Sequence, residues 1–139
     1  MGSYAFGDCL QLKSVSTGNG LTSITTATFS GCKNLIEIDI GNSVTSIYSA
    51  FYDCGFTDIY IPDGLVLIIE PLGGVQPGTG IYPSVRNVFY KGTRDGWNRI
   101  VGNNSPCIMY AKIYFYSENR PSVKGDFWHY DESGKTAIW

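Results

Sequence analysis

One sequence pattern occurs three times in this chain, at intervals of 21 to 23 residues. Its phenylalanines and its cysteines keep the same spacing of 23 and then 22 residues, and they are Phe6, Phe29, Phe51, Cys9, Cys32 and Cys54. Four apolar residues follow each cysteine, and in the middle copy they are Leu35, Ile38, Val44 and Ile47. A fixed period in this range predicts a solenoid, in which each coil buries its apolar face against the neighbouring coils.

The middle copy indicates how one coil is expected to fold. Residues 35–40 form a short β-branched run that alternates in polarity, which predicts a strand with one buried face. Residues 41–43 have the composition of a turn. Residues 27–32 place Phe29 and Cys32 three positions apart, which predicts a short helical or 3₁₀ turn that faces inward. Stacked coils are therefore expected to give a short parallel sheet with one strand per coil.

The repeated pattern A-x-F-x-x-C-x-x-L-x-x-V-x-I-x-x-x-V-T-S-I, over residues 2–68, resembles the BspA-type leucine-rich repeats of bacterial surface proteins. The third copy keeps the Ile-Pro that is common in this family, as Ile61-Pro62, whereas Ser16-Thr17-Gly18 in the first copy departs from it. The resemblance implies an α/β solenoid of leucine-rich-repeat type, which binds its partners through the exposed face of the sheet. It also implies an extracellular or cell-surface location and a non-enzymatic role.

Three regions are expected along the chain. Residues 1–69 predict about three coils of leucine-rich repeats. Residues 70–84 are rich in Pro and Gly, which predicts an irregular loop or a degenerate coil. Residues 85–139 contain strand patterns, one short helical pattern and a Ser-Gly hairpin pattern, and they resemble the closing module often found behind BspA-type repeats. We therefore predict a strand-rich C-terminal cap over residues 85–139.

Charge and hydropathy exclude several classes of partner. The formal net charge is −2, from 10 basic and 12 acidic residues, so no strong field favours nucleic acid. The longest apolar run, residues 65–69, is too short to span a bilayer, and the first residues do not have the pattern of a signal peptide. We expect the chain to begin within a solenoid, as a fragment, so that its uncovered first coil is able to self-associate.

The cysteines predict structure rather than chemistry. Cys9, Cys32 and Cys54 are too far apart in sequence for the close pairs typical of zinc sites, and in a solenoid they are expected to stack as a buried ladder. Cys107 lies outside the repeat and is expected to be buried or half-buried in the cap. No cofactor and no metal ion are predicted.

No catalytic constellation is recognisable. His129 is the only histidine, and the chain has no Gly-x-Ser-x-Gly elbow and no catalytic cysteine context to accompany it, so we expect it to be structural or at a rim. The carboxylates of the repeats are expected to be solvated, because acid-base pairs that hydrolyse sugars require a cleft. We predict that the chain is not an enzyme.

Two sets of residues are candidate binding sites. The exposed sheet face is predicted to comprise Lys13, Glu37, Asp39, Asp58 and Tyr60. The C-terminal strands carry more aromatic surface than a small cap requires, and the outward-pointing candidates are Tyr114, Tyr116, Trp128 and Tyr130. The preferred function is an interaction module that binds a protein partner through the sheet face. The alternatives are a carbohydrate-binding module that uses the C-terminal aromatics, with a surface glycan as partner, and a purely structural spacer or cap.

Overall fold

The computed structural model describes residues 2–70, 85–103 and 106–139, without the side chains of residues 106 and 107. Two predictions therefore lie outside the described residues, namely the irregular loop over 70–84, apart from its first residue, and the burial of Cys107. The described elements are β1 (Ser14–Ser16), β2 (Ser23–Ile24), β3 (Glu37–Asp39), β4 (Ser46–Tyr48), β5 (Asp58–Ile61), β6 (Leu67–Ile69), β7 (Asn87–Tyr90), α1 (Arg94–Arg99), α2 (Pro106–Met109), β8 (Lys112–Tyr116), β9 (Phe127–Tyr130) and β10 (Thr136–Ile138).

The main sheet has seven strands in the order β1-β3-β5-β7-β8-β9-β10. All neighbouring strands in it are parallel except β9 and β10, which form an antiparallel hairpin. The register pairs equivalent positions of successive coils, so that Val15 lies opposite Ile38 and Ile59 lies opposite Val88. This repeat-by-repeat stacking confirms the predicted solenoid of leucine-rich-repeat type, in which each coil adds one strand to a parallel sheet.

Each coil also contributes a second strand, which the prediction of one strand per coil omitted. Strands β2, β4 and β6 form a separate three-stranded parallel sheet. They occupy the Thr-Ser-Ile segment of the repeat, in which Leu67 replaces the Ser in the third copy. The Ser or Leu at this position is half-buried, and the Ile that follows it is buried. Strands of two or three residues give almost no alternation pattern, and pairing with the neighbouring coils stabilises them more than local propensity does.

The Ala-Phe-Cys segment forms hydrogen-bonded turns and not a helix. In the second coil the Thr28, Ser30 and Cys32 amides each donate to the carbonyl three residues earlier. Residues with positive φ interrupt the segment at equivalent positions of successive coils, at Tyr4, Ala27, Ser49 and Glu70 and at Asp8, Gly31 and Asp53. A left-handed residue every few positions prevents the turns from propagating into a helix.

The core of the repeats is a set of ladders that run along the solenoid. The Phe6 and Phe29 rings stack with centroids 5.4 Å apart, and the Phe29 and Phe51 rings stack at 5.5 Å. The Cys32 thiol donates to the Phe6 carbonyl at 3.0 Å, and the Cys54 thiol donates to the Phe29 carbonyl at 3.1 Å. The three cysteines pack against the core as predicted, but only Cys32 is fully buried, whereas Cys9 and Cys54 are half-buried.

The C-terminal strands continue the same sheet and core. Strand β7 pairs with β5 along four residues, and Val101 forms a parallel bridge with Leu67 that extends the second sheet. The predicted helical turns are α1, in which Thr93 caps the N-terminus by accepting from the Gly96 amide. Trp97 and Ile100 are buried in the core cluster of the repeats, as predicted.

The main sheet curls until its far end meets its middle. The Tyr60 hydroxyl on β5 lies 2.7 Å from the Thr136 hydroxyl on β10, although three strands separate β5 from β10 in the sheet. The side of the sheet that faces away from the solenoid core is therefore concave, and the β9–β10 hairpin lies over it. A progressive twist between neighbouring strands brings distant strands together in this way.

Candidate functional site

Two rows of side chains run across the concave face of the main sheet. The first, which we name the carboxylate row, contains Ser14, Glu37, Asp58, Asn87 and Lys112. The second, which we name the aromatic row, contains Ser16, Asp39, Tyr60, Phe89 and Tyr114. Both rows lie on one face because side chains two positions apart in a strand point the same way.

The five sheet-face candidates lie on or beside these rows. Lys13, Glu37 and Asp39 are exposed, whereas Asp58 and Tyr60 are half-buried. The Asp58 carboxylate accepts a hydrogen bond of 2.8 Å from the side-chain amide of Asn87. Glu37 forms no hydrogen bond or ion pair with any side chain in the described parts of the chain, so its charge is available to a ligand.

The four aromatic candidates divide into two pairs. Trp128 is 0% exposed and Tyr114 is 7% exposed, so neither offers a ring face to solvent. Tyr116 is 37% exposed and Tyr130 is 45% exposed, and both lie on the same concave side. All four rings point away from the solenoid core, as expected, but only Tyr116 and Tyr130 are exposed enough to contact a ligand.

Trp128 is buried because it fills the bend of the curled sheet. Its ring makes edge contacts with Tyr60 at 5.7 Å and Phe89 at 5.6 Å, and its indole N–H donates to the Tyr90 carbonyl at 3.1 Å. Together with Tyr114 these rings form a second apolar cluster, separate from the core of the solenoid. This cluster holds the hairpin against the repeat strands, so the two predicted binding sites are parts of one surface.

A groove lies where the hairpin overhangs the repeat strands. It encloses about 450 Å³, which is within the range of small-molecule sites. One wall carries the Glu37 and Asp39 carboxylates, and the opposite wall carries side chains of the hairpin. We name this space the hairpin groove, and its principal polar and aromatic lining is Glu37, Asp39, Tyr60, Tyr130, Lys135 and Thr136.

The Asp39 carboxylate is the most connected charge in the groove. It accepts a hydrogen bond of 3.2 Å from the Ser16 hydroxyl, and the Lys91 ammonium lies 3.8 Å away. Burial, followed by the charge of Asp39, raises the pKa of Tyr130, so that this phenol stays protonated and remains a hydrogen-bond donor. The Asp39 carboxylate and the Tyr130 ring therefore face the same space from opposite walls.

A second hollow adjoins the hairpin groove and shares Tyr130 with it. This hollow encloses about 260 Å³ and is lined by Asn42, Asp63, Lys91, Tyr116 and Tyr130. Because the Tyr130 ring lines both spaces, it forms the boundary between them. The two spaces together offer three carboxylates, two ammonium groups, one amide and two exposed phenol rings.

His129 and two acidic residues near it in sequence, Asp126 and Asp131, make contacts within the protein. The His129 ring stacks on the Trp139 ring at 3.8 Å, while Asp126 pairs with Lys112 at 2.9 Å and Asp131 accepts from Ser133 and Lys135. Among the residues that the structure describes, no group of three or more His, Cys, Asp or Glu side chains is placed to hold a metal ion. None of the described helices is long and apolar enough to cross a membrane.

Five polar lining residues of this site are not among the predicted ones, namely Asn42, Asp63, Lys91, Lys135 and Thr136. Lys135 and Thr136 follow a turn of the hairpin, and Lys91 follows β7, so nothing in their local pattern connects them with the repeats. The available signal was in β7, where the consecutive apolar residues Val88, Phe89 and Tyr90 indicate burial of both sheet faces. That signal predicts a cover over the concave face without identifying which segment provides it.

The repeats match a known family. The family model described as BspA type leucine rich repeat region (6 copies) matches residues 1–70. No curated protein and no solved structure matches the chain. The matched region contains the periodic Phe, Cys and Ile ladders and the first six strands, which together form the repeat fold described above. The chain therefore belongs to the BspA-type leucine-rich repeat family.

Proposed function

We propose that the chain is a non-enzymatic interaction module of a cell-surface or secreted protein, and that it binds a protein partner through the concave face of the main sheet. Membership of the BspA-type family supports this, because leucine-rich repeats generally serve in protein interaction and this family is typically surface-exposed or secreted. The observation that carries the proposal is the carboxylate row, in which Glu37 and Asp58 present adjacent carboxylates on neighbouring coils.

The chemistry of the row fits a partner with basic residues. Lys13 is exposed at one end of the row, and the Lys112 ammonium at the other end already pairs with Asp126 at 2.9 Å. The central positions are therefore acidic: Glu37 is exposed and unpaired among the described side chains, whereas Asp58 is half-buried and accepts from the Asn87 side chain. Charges at the rim of an interface act mainly on association rate and specificity, and their contribution depends on ionic strength.

We also propose that residues 85–139 act as the cap of the solenoid. Terminal coils of repeat proteins require a cover for their apolar end. The buried Trp97, Ile100, Ile108 and Phe115 side chains, which belong to the core cluster of the repeats, support this role. The cap would then have two functions, since its hairpin also overhangs the binding face.

The test is a binding screen with purified secreted and extracellular-matrix proteins, read by surface plasmon resonance. For any partner found, Glu37→Ala with Asp58→Ala should weaken binding about five- to tenfold, with most of the change lost at high salt. Asp95→Ala with Glu118→Ala is the matched control, because it removes two exposed carboxylates elsewhere and gives the same net charge. Equal affinity of the two double variants would refute the sheet-face assignment, and no partner in the screen would favour a structural spacer.

A further inference from the structure

We propose that the hairpin groove and the adjoining hollow form a binding site for a neutral oligosaccharide, with Tyr130 as the ring on which a sugar stacks. This site adjoins the carboxylate row proposed to bind a protein partner and shares Glu37 with it. It is distinct from the aromatic cluster around Trp128, since that ring is fully buried. The site is formed jointly by repeat residues and hairpin residues.

Charges of both signs line the two spaces. The hairpin groove places the Glu37 and Asp39 carboxylates opposite the Lys135 ammonium, and the adjoining hollow adds Asp63 and Lys91. A strongly charged ligand would leave groups of one sign unfavourably placed. Sugar hydroxyl groups both donate and accept hydrogen bonds, so they match carboxylate acceptors and ammonium donors at the same time.

The two exposed aromatic rings are held in position by Trp128. The Tyr130 ring is 45% exposed and packs edge-on against the buried Trp128 ring, with centroids 5.1 Å apart. The Tyr116 ring packs against Trp128 in the same way at 5.1 Å. Both exposed rings are therefore held by a rigid neighbour, and a rigid ring offers contact area at little entropic cost.

The site is divided into two spaces by the Tyr130 ring. The groove of about 450 Å³ and the hollow of about 260 Å³ meet at Tyr130, and polar side chains line both. Two adjoining polar spaces with an aromatic ring between them suit a chain of linked pyranose rings better than a single compact ligand. The structure thus points to a ligand of at least two sugar units.

The experiment uses the 139-residue chain and four defined probes. Cellotetraose, maltotetraose and N-acetylchitotetraose are neutral, and a heparin-derived tetrasaccharide is the charged comparison. Binding is measured by saturation-transfer-difference NMR and by the change in Trp fluorescence, since Trp128 contacts Tyr130 directly. We expect at least one neutral probe to bind and the charged probe to bind at least tenfold more weakly.

Variants locate the site. Tyr130→Ala and Lys135→Ala should each reduce affinity for the bound probe at least fivefold, whereas Tyr110→Ala should leave it unchanged because Tyr110 lies outside the groove and is largely exposed. Lys135 is an exposed residue at the hairpin turn, so its variant should keep the fold even if Tyr130→Ala loosens the hairpin. Circular dichroism melting of each variant identifies any loss of folding.

Several outcomes would overturn the proposal. It fails if none of the neutral probes binds at 10 mM, if only the charged probe binds, or if a bound probe is unaffected by Lys135→Ala in a folded variant. Binding of a protein partner that Glu37→Ala with Asp58→Ala weakens, together with no sugar binding, would leave the proposed function standing and refute the oligosaccharide site.

Discussion

The hydroxyl groups of Tyr60 and Thr136 lie 2.7 Å apart, although the two residues are 76 positions apart in sequence. Tyr60 belongs to the third coil of the repeats, and Thr136 begins the last strand of the chain. This contact joins the hairpin to the repeat strands across the concave face. Both residues line the hairpin groove, so this contact lies in its wall.

Removing this contact should loosen the hairpin without unfolding the repeats. Tyr60→Phe is expected to lower the free energy of unfolding by about 1 kcal/mol, the usual net value of one partly buried hydrogen bond. Thr136→Val should lower the free energy of unfolding by a similar amount. The double variant should lose less than the sum of the two single losses, because each single change breaks the same hydrogen bond. Guanidinium unfolding of all four proteins gives the coupling, and strictly additive losses would show that the two hydroxyls do not interact.

Trp128 should be essential for folding of the C-terminal strands. Trp128→Ala removes a fully buried ring that contacts Tyr60, Phe89, Tyr116 and Tyr130, so we expect it to lower the unfolding free energy by about 3–5 kcal/mol. Trp139→Ala is the matched control, because Trp139 is partly exposed. Chemical denaturation measures both variants, and equal losses would contradict the burial of Trp128. A loss of ligand binding in Trp128→Ala would report on folding and not on contact with a ligand.

Cys54 should react slowly with thiol reagents in the folded protein. Burial, with a smaller contribution from the neighbouring Cys32, raises the pKa of the Cys54 thiol from 9.0 to about 12. At pH 8 the thiolate, which is the reactive species, should be almost absent, and alkylation should be at least tenfold slower than in the guanidine-unfolded chain. Iodoacetamide labelling followed by peptide mass spectrometry gives the rate at this site.

The raised pKa of the Cys54 thiol also predicts that the stability of the protein decreases at alkaline pH. Because the folded-state pKa of Cys54 is raised, its contribution to stability is complete below pH 9 and decreases as the pH rises from 9 towards 12. Cys54→Ser removes this ionisation, so its unfolding free energy should fall less steeply than that of the parent chain over this interval. Equal slopes of unfolding free energy against pH for the parent chain and for Cys54→Ser would contradict this prediction.

The hairpin turn should be sensitive to acid through Asp131. Hydrogen bonds from the Ser133 hydroxyl and from the backbone amides of Lys135 and Ser133 lower the pKa of Asp131 below 3.8. The stabilisation is present above pH 3.8 and is lost as the pH falls through the lowered folded-state value. NMR titration should show the Ser133 and Lys135 amide signals changing together below pH 3.8, and Asp131→Asn should abolish that step. Amide signals that change only above pH 5 would contradict this.

The repeat period was sufficient to predict the part of the fold that depends on neighbouring coils. Phe29 and Cys32 recur at fixed offsets, so their inward stacking follows from the solenoid pattern. The second sheet was missed because Ser23–Ile24 is only two residues long and depends on pairing with β4. Local sequence patterns contain too little information to specify a strand of that length.

The candidate site could be predicted only in parts. Alternation along the strands predicts that Glu37, Asp39 and Tyr60 are exposed, and the abundance of aromatic residues indicates the C-terminal tyrosines as binding candidates. Their meeting in one groove depends on the curl of seven strands, which accumulates from small twists between neighbours and has no local sequence signal. For the same reason, the sequence does not distinguish a fully buried Trp128 ring from an exposed one.

The most direct test of this account is whether the hairpin lies over the repeat face in solution. In ¹³C-labelled protein, nuclear Overhauser effects between the Tyr60 and Trp128 rings report this, because their centroids are 5.7 Å apart. The Phe29–Phe51 pair, stacked at 5.5 Å within the repeats, is the internal control. We predict cross-peaks for both pairs. Cross-peaks for Phe29–Phe51 without any between Tyr60 and Trp128 would show that the hairpin does not cover the repeat face, and would contradict the joint groove.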